Sequence, residues 1–148
     1  RHGYNPEIIL AGRRMNDGMG EYVANQIIKL MLKKGIQVVD SSILILGFTF
    51  KENCPDVRNT KVIDIYKALK EYNVTISVYD PWADIHHTLK EYGVNIVNKL
   101  PEEKFDAAVL AVAHSIFSEV KIENLLKEKH ILFDVKGFLP QEKIDGRL

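Results

Sequence analysis

The densest group of chemically useful side chains lies in the segment from Gly47 to Arg58, which is twelve residues long. It contains the aromatic residues Phe48 and Phe50 and the cations Lys51 and Arg58. Aromatic rings can stack on a nucleobase and cations can neutralise phosphate, so the segment is suited to binding a nucleotide. A solvated loop with one of the two rings in the core explains the same residues equally well. Neither G-x-G-x-x-G nor G-K-[ST] is present, so the usual phosphate loops are excluded.

Single residues elsewhere give weaker indications of a site. Asp80 stands where a ribose-binding acid often lies, but Asp80 and Pro81 also form a common turn, and we favour the turn. His114 follows an apolar run and has no evident carboxylate partner in the sequence, so we expect a structural role. Cys54 is the only thiol. Without a clear activating base, it is interpreted as an inert loop residue rather than a redox or nucleophilic one.

Composition narrows the classes of partner. Lys and Arg number 20 and Asp and Glu number 20, so the formal net charge is zero, which disfavours nucleic-acid and anionic-membrane binding. No apolar run approaches the ~20 residues that span a bilayer, and a single cysteine excludes an internal disulfide, so we expect a cytoplasmic protein. The adjacent His86 and His87 would not face each other on a helix, and no metal site is predicted.

The elements around these residues alternate between helices and strands. A helical segment with an apolar stripe extends from about Pro6 to Lys34, and its glycines predict either a break or close packing against another backbone. Strands are predicted at 42–47, 74–79, 94–97, 107–112 and 130–134, helices at 60–72, 84–92 and 115–127, and an irregular tail from 137. This order predicts an α/β fold, with a long leading helix followed by a Rossmann-like parallel sheet with helices on both faces.

Such a sheet has a preferred place for its ligand. Ligands of open α/β sheets bind beyond the carboxyl ends of the strands. We therefore expect a site among the loops after Leu46, Tyr79, Val112 and Asp134. Lys136, just beyond the last strand, either reaches a ligand phosphate there or points to solvent.

Longer stretches of the sequence are similar to a known family. The segment Leu46-Gly-Phe-Thr-Phe-Lys-Glu-Asn-Cys-Pro-Asp-Val-Arg-Asn-Thr60 resembles the signature that opens the C-terminal domain of the UDP-glucose/GDP-mannose dehydrogenase family. Further matching segments are Gly12-Arg-Arg-Met-Asn-Asp-Gly-Met19, Val78-Tyr-Asp-Pro81, Asp134-Val-Lys-Gly137 and Gly146-Arg-Leu148. The Lys-Glu-Asn-Cys-Pro-Asp variant of the loop, with Ala11-Gly-Arg-Arg14 upstream, is most similar to the branch acting on UDP-N-acetylhexosamines.

The resemblance implies a function for the complete enzyme and a role for this chain. Complete members oxidise the C6 alcohol of a nucleotide sugar to a carboxylate with two NAD+. Their NAD-binding domain and catalytic cysteine would lie upstream of Arg1, so this chain is expected to hold no catalytic residue and to be inactive alone. By the same resemblance, Phe50, Lys51 and Lys136 bind the UDP-sugar, and Arg58 reaches NAD across the cleft.

The resemblance also divides the chain and predicts its assembly. Residues 1–35 correspond to a central dimerisation helix, and residues 36–148 to a UDP-binding Rossmann-like domain. The apolar stripe between Val23 and Leu32 should be buried by a partner chain or by the missing domain, and we expect a homodimer through the leading helix. The alternative is a stand-alone nucleotide-binding or dimerisation module without catalysis.

Overall fold

The fold is built on a six-stranded parallel sheet, which a computed structural model describes within residues 18–148. Its strands are β1 (Ser42–Leu46), β2 (Thr75–Tyr79), β3 (Ile96–Val97), β4 (Phe105–Leu110), β5 (Leu126–Asp134) and β6 (Gly146–Arg147). They are ordered β3-β2-β1-β4-β5-β6, and every neighbouring pair is parallel. The α-helices are α1 (Met19–Lys33), α2 (Val62–Lys70) and α3 (Ile85–Tyr92). The predicted α/β, Rossmann-like fold is confirmed.

The central strand β1 is apolar because both faces of the sheet are covered. Ile43 and Ile45 belong to the core that also contains α1 and α2, whereas Leu44 and Leu46 belong to the core on the opposite face. All four side chains are fully buried. A parallel strand covered on both faces requires such a continuous apolar run.

Helix α1 buries its apolar stripe inside the chain. Val23, Ile27 and Met31 are fully buried in the core that α1 shares with α2 and the sheet. The expectation that a partner chain or a missing domain covers this stripe is therefore wrong for these three residues, because the chain's own sheet and α2 already cover them. Tyr22 and Leu32 stay exposed on this helix. The predicted helical residues before Gly18, with Arg13 and Arg14, lie outside the described residues, and the boundary at residue 35 stays a prediction.

Gly20 permits a close approach of α1 to α2. A Cβ at this position would lie 2.5 Å from the backbone carbonyl carbon of Asp64. Of the two alternatives offered for the glycines of the leading helix, a break or close packing against another backbone, Gly20 shows close packing.

The second face of the sheet carries less helix than predicted. The stretch from Ser115 to Lys127 contains two short 3-10 helices, Ser115–Ser118 and Ile122–Leu125, and β5 already begins at Leu126. Ser, Asn and β-branched residues in this stretch are weak helix formers, so packing on the sheet determines its shape. The tail is more ordered than predicted, with a 3-10 helix at Gln141–Lys143 and the strand β6. Within residues 18–148, no helix is long and apolar enough to cross a membrane.

Candidate functional site

A groove of about 260 Å³ opens at the carboxyl edge of the sheet, beside β1 and β4. From these two neighbouring strands the chain continues in opposite directions, to β2 on one side and to β5 on the other. This is the topological switch point, at which open α/β sheets bind their ligands. The walls include residues that follow β1, β4 and β5, among them Thr49, Phe50, Lys61, Val112 and Lys136.

A larger cavity of about 600 Å³ lies on the second face of the sheet. Its walls include Phe117, Leu132 and Phe138 from the 3-10 helices, β5 and the tail. We assign the candidate site to the smaller groove because it lies at the switch point and its walls contain Lys61 and Lys136 without a carboxylate, whereas the larger cavity has Lys143 and also Glu123. Volume alone does not identify a site that must hold an anionic ligand.

Phe50 and Lys136 come together in the groove although they are far apart in sequence. Phe50 is 52% exposed, so its ring is available to a ligand instead of filling the core. Phe48, the other aromatic of the loop, is fully buried and packs edge-on against Tyr92. The backbone N–H of Lys136 donates to Asp134 Oδ1 at 3.0 Å, which fixes the turn from which its exposed side chain extends.

Lys51 and Arg58 lie on the same loop but are not among the residues that line the groove. Lys51 is exposed, and its carbonyl accepts a hydrogen bond from Thr49 Oγ1 at 2.9 Å. Arg58 Nε and Nη2 donate to the two carboxylate oxygens of Asp56 at 3.1 and 3.3 Å. The side-chain hydrogen bond between them raises the pKa of Arg58 and lowers that of Asp56. Such an exposed pair is weak, so Arg58 can exchange Asp56 for an anionic ligand.

Helix α2 begins at the groove. Thr60 Oγ1 donates to the Phe48 carbonyl at 2.7 Å and accepts from the Val62 backbone N–H at 3.2 Å, so it joins the end of the loop to the start of the helix, although the N-cap position itself is Lys61. The first turn of a helix has a positive potential, which favours an anion. Lys61 adds a formal charge in the groove wall.

Sequence reasoning missed two cations at this edge of the sheet. Lys61 directly precedes the first residue of α2, and the signal in the sequence that could have identified it is a cation beside the start of a predicted helix. Arg147, in the tail that was predicted to be irregular, is brought beside the loop after β5 by the pairing of β5 with β6. Its Nη1 lies 4.0 Å from the position that a Cβ of Gly137 would occupy.

Asp80 holds the loops after β1 and β2 in place. The side chain is fully buried. Its Oδ2 accepts from the backbone N–H groups of Phe48 and Thr49 at 2.6 and 3.1 Å, and its Oδ1 from those of Trp82 and Ala83 at 2.7 and 3.0 Å. Burial by itself raises the pKa of Asp80, but the hydrogen bonds that the carboxylate accepts outweigh burial and lower it. The predicted turn is confirmed, and the same carboxylate also organises the neighbouring loop.

His114 completes this network from the end of β4. Its Nε2 lies 2.9 Å from Asp80 Oδ2 and 3.2 Å from Thr49 Oγ1, and its Nδ1 accepts from the Asn53 backbone N–H at 2.9 Å. The structural role is confirmed, but the expectation of no carboxylate partner is wrong. β2 and β4 flank β1, so the residues that follow them meet across the loop from β1. The signal in the sequence that could have revealed this contact is that Asp80 and His114 each follow a predicted buried strand.

Cys54 is half-buried in the loop after β1. Among the hydrogen bonds that the described residues form, none joins its thiol to a histidine or a carboxylate. Within residues 18–148, no cluster of three or more His, Cys, Asp or Glu side chains could hold a metal ion.

Known proteins share this sequence and this fold. A model of the UDP-glucose/GDP-mannose dehydrogenase family, UDP binding domain, matches residues 44–141. Over 99% of its length, the chain is 51% identical to UDP-N-acetyl-D-glucosamine 6-dehydrogenase from Salmonella typhi and 50% identical to the protein of that name from Pseudomonas aeruginosa, and it covers 35% of each. Among solved structures, NDP-N-acetyl-D-galactosaminuronic acid dehydrogenase from Methanosarcina mazei Go1 aligns with a TM-score of 0.82 at 22% identity, over 98% of this chain and 32% of that one.

These comparisons agree with the resemblance seen in the loop after β1. The matched region begins within β1 and contains every predicted site residue, from Phe50 to Lys136. The chain spans about a third of the length of the curated relatives it matches. At 22% identity the structural likeness shows the fold alone, whereas the family model and the relatives show descent. The chain belongs to the UDP-glucose/GDP-mannose dehydrogenase family and contains its UDP-binding domain.

Proposed function

We propose that this chain provides the UDP-binding part of the substrate site in an NAD-dependent UDP-N-acetylhexosamine 6-dehydrogenase. The complete enzyme would oxidise the sugar C6 alcohol to a carboxylate with two NAD+, and this chain alone would be inactive. The observation that carries the proposal is the groove at the switch point, where Phe50, Lys61 and Lys136 lie beside the start of α2. Family membership and the names of the relatives support the choice of ligand.

The groove has the two kinds of contact that a nucleotide sugar requires. The diphosphate would bind to Lys61 and Lys136 at the positive end of α2, because charge-assisted hydrogen bonds are the strongest that a protein offers to phosphate. Phe50 would give the nucleotide sugar an apolar surface, and the adjacent Lys51 would bind it from the rim. The net charge of zero is compatible with this site, since a few local cations are enough to bind one diphosphate.

NAD would make a smaller contact with this chain than the substrate does. The loop after β1 has Gly47 alone where a dinucleotide fingerprint has three glycines, so the main NAD site is expected in the upstream domain. The exposed guanidinium of Arg58 has the fork geometry that suits a pyrophosphate, so Arg58 would hold NAD from across the cleft. Bound NAD would accept the hydride that leaves the sugar.

A homodimer through residues 1–35 and a cytoplasmic location complete the proposal, and both rest on the family resemblance. The buried stripe of α1 is not available to a partner chain. A dimer contact through this helix would therefore use side chains that it leaves exposed, such as Tyr22 and Leu32.

Titration of the ¹⁵N-labelled 148-residue chain with UDP tests the binding role. UDP should shift amide signals at Phe50, Val62 and Lys136, and uridine, which lacks the phosphates, should bind much more weakly. Lys136→Ala should weaken UDP binding roughly tenfold, because a charge-assisted contact is lost. Lys121→Ala, at an exposed lysine between the 3-10 helices, is the matched control. Shifts confined to another surface, or equal affinities for the two variants, would contradict the proposed site.

A further inference from the structure

We propose that His114 is a positioning residue, which sets the affinity for the nucleotide sugar by holding the loop that carries Phe50 and Lys51. This inference rests on the binding role proposed above. His114 does not line the groove itself. It would act through Asn53 in the middle of the loop, whose backbone N–H donates to His114 Nδ1.

The loop needs such an anchor because it is long. Fifteen residues separate Leu46 at the end of β1 from Val62 at the start of α2, whereas strand-to-helix connections usually have about 2–6 residues. The backbone N–H of Phe50 donates to the Asp56 carbonyl at 2.7 Å, which closes residues 51–55 into a small exposed sub-loop. A long exposed segment is ordered only when specific contacts offset its conformational entropy.

Asn53 connects this sub-loop to the chain after β4. Its backbone N–H donates to His114 Nδ1 at 2.9 Å, and its Oδ1 accepts from the Ser115 backbone N–H and hydroxyl at 3.0 and 3.2 Å. Asn53 has a φ of 55°, a left-handed conformation that asparagine adopts more readily than most residues. The proposed ligand residues Phe50 and Lys51 lie just before this anchored position.

The hydrogen-bond pattern assigns the tautomer of His114. Nδ1 faces an N–H donor and must accept, so the ring proton lies on Nε2 and is donated to Asp80 Oδ2 at 2.9 Å. The hydroxyl proton of Thr49 is used on the Lys51 carbonyl, so Thr49 Oγ1 is a second acceptor for Nε2–H. The ring is fully buried between Trp82 and Phe117, with centroid distances of 6.4 and 5.5 Å. A neutral imidazole thus links a buried carboxylate to the loop with one donor and one acceptor.

Two conservative variants separate these two hydrogen bonds. In His114→Asn, the amide oxygen can take the place of Nδ1 and keep the Asn53 contact, while the Nε2 contacts with Asp80 and Thr49 are lost. In His114→Gln, the amide nitrogen can take the place of Nε2 and keep the Asp80 contact, while the bond to Asn53 is lost. Each variant loses the contacts of one ring nitrogen and the same ring, so both should unfold at lower urea concentrations than the wild type.

UDP titration of the 148-residue chain, with ¹⁵N relaxation of residues 51–55, tests the assignment. We expect His114→Gln to loosen the sub-loop and to raise the Kd for UDP about tenfold, because the competent loop conformation is less populated. His114→Asn should keep the loop ordered. Its Kd for UDP should lie within about threefold of the wild-type value, because the competent loop conformation stays populated. Long-range ¹H–¹⁵N spectra of the wild type should show the Nε2–H tautomer.

The other outcomes distinguish failure of the positioning role from failure of the proposed binding function. If the wild type binds UDP and the Gln variant binds it equally well, or if the two variants lose affinity equally, the positioning role is wrong and the proposed binding function stands. A ring proton on Nδ1 would overturn the positioning role in the same way. If the wild type itself does not bind UDP, the proposed function fails and the positioning role fails with it.

Discussion

Replacement of Asp80 by asparagine should destabilise the chain strongly, although the two side chains have the same shape. The carboxylate is fully buried and accepts four backbone hydrogen bonds, two on each oxygen, and a further one from His114 on Oδ2. An asparagine side chain has only one oxygen. Whichever way its amide is turned, the NH₂ group faces at least two backbone N–H donors, which then lose their acceptor.

The magnitude follows from the number of donors left without a partner. A buried polar group without a hydrogen-bond partner costs about 1–3 kcal/mol. Two such groups should lower the free energy of unfolding by about 2–6 kcal/mol near neutral pH. The free energy of unfolding of a typical domain is only about 5–15 kcal/mol, so the variant should unfold at much lower urea concentrations than the wild type.

The effect should depend on pH in a defined direction. The pKa of Asp80 is lowered in the folded chain because its hydrogen bonds outweigh burial, so below about pH 4 the unfolded state binds more protons than the native state. The stability that the carboxylate contributes is therefore complete near neutral pH and is lost as the pH falls through the lowered pKa of the folded state. The asparagine variant has no such group, so its difference from wild type should narrow below about pH 4.

Urea unfolding of both proteins near pH 7 and near pH 3.5 measures this difference. Asp84→Asn is the matched control, because Asp84 is exposed and caps α3 by accepting from the His87 backbone N–H at 2.7 Å, and asparagine caps helices as well as aspartate does. The control should leave stability unchanged. If Asp80→Asn costs less than about 1 kcal/mol near neutral pH, or if the difference does not narrow in acid, the role given to these hydrogen bonds is wrong.

Two further substitutions test the packing around the site. Gly20→Ala should lower stability by about 1–3 kcal/mol, because its Cβ would lie 2.5 Å from the backbone of Asp64. In thermal unfolding, an equal melting temperature for this variant and for the exposed control Glu21→Ala would disprove the close contact between the helices. Thr60→Val keeps the shape of the side chain but removes the donor to the Phe48 carbonyl and the acceptor for the Val62 N–H, which should cost about 1–3 kcal/mol. Unchanged urea unfolding would show that this link does not stabilise the loop.

Local patterns in the sequence were sufficient to predict most of the fold. The apolar run from Ile43 to Leu46 indicated a strand covered on both faces, and the alternation of helices and strands indicated the parallel sheet. The secondary structure predicted from the apolar pattern is wrong where packing on the sheet outweighs the conformational preference of the local sequence. Phe117, Ile122 and Leu125 are buried against the sheet from 3-10 helices, and apolar spacing alone did not distinguish these from an α-helix. The strand β6 has two residues, which is too few for any periodicity.

The site was predictable by residue type but not by its internal contacts. The loop after β1 stood out because it combines aromatics with cations, and the rule about strand ends placed Lys136 at the same edge. The pairing of Asp80 with His114 could not be predicted from spacing, since the two residues are 34 positions apart and meet only through the order of the strands. The covered stripe of α1 shows a related limit, because periodicity reveals an apolar face without showing what covers it.

Gly47 explains why the groove opens at this point of the sheet. Its φ is +96°, and a Cβ there would lie 2.6 Å from the Cβ of Val112 and 2.9 Å from its backbone nitrogen. A residue without a side chain is therefore required where the chain leaves β1 beside the end of β4. At this point Gly47 still donates to the Tyr79 carbonyl at 2.8 Å, while Ala111 donates to the Leu46 carbonyl at 2.9 Å. The loops after β1 and β4 thus begin in contact and then diverge, and the space between them becomes the groove. Gly47 alone does not match a glycine-rich fingerprint. Its close approach to Val112 nevertheless allows both loops to start at the switch point.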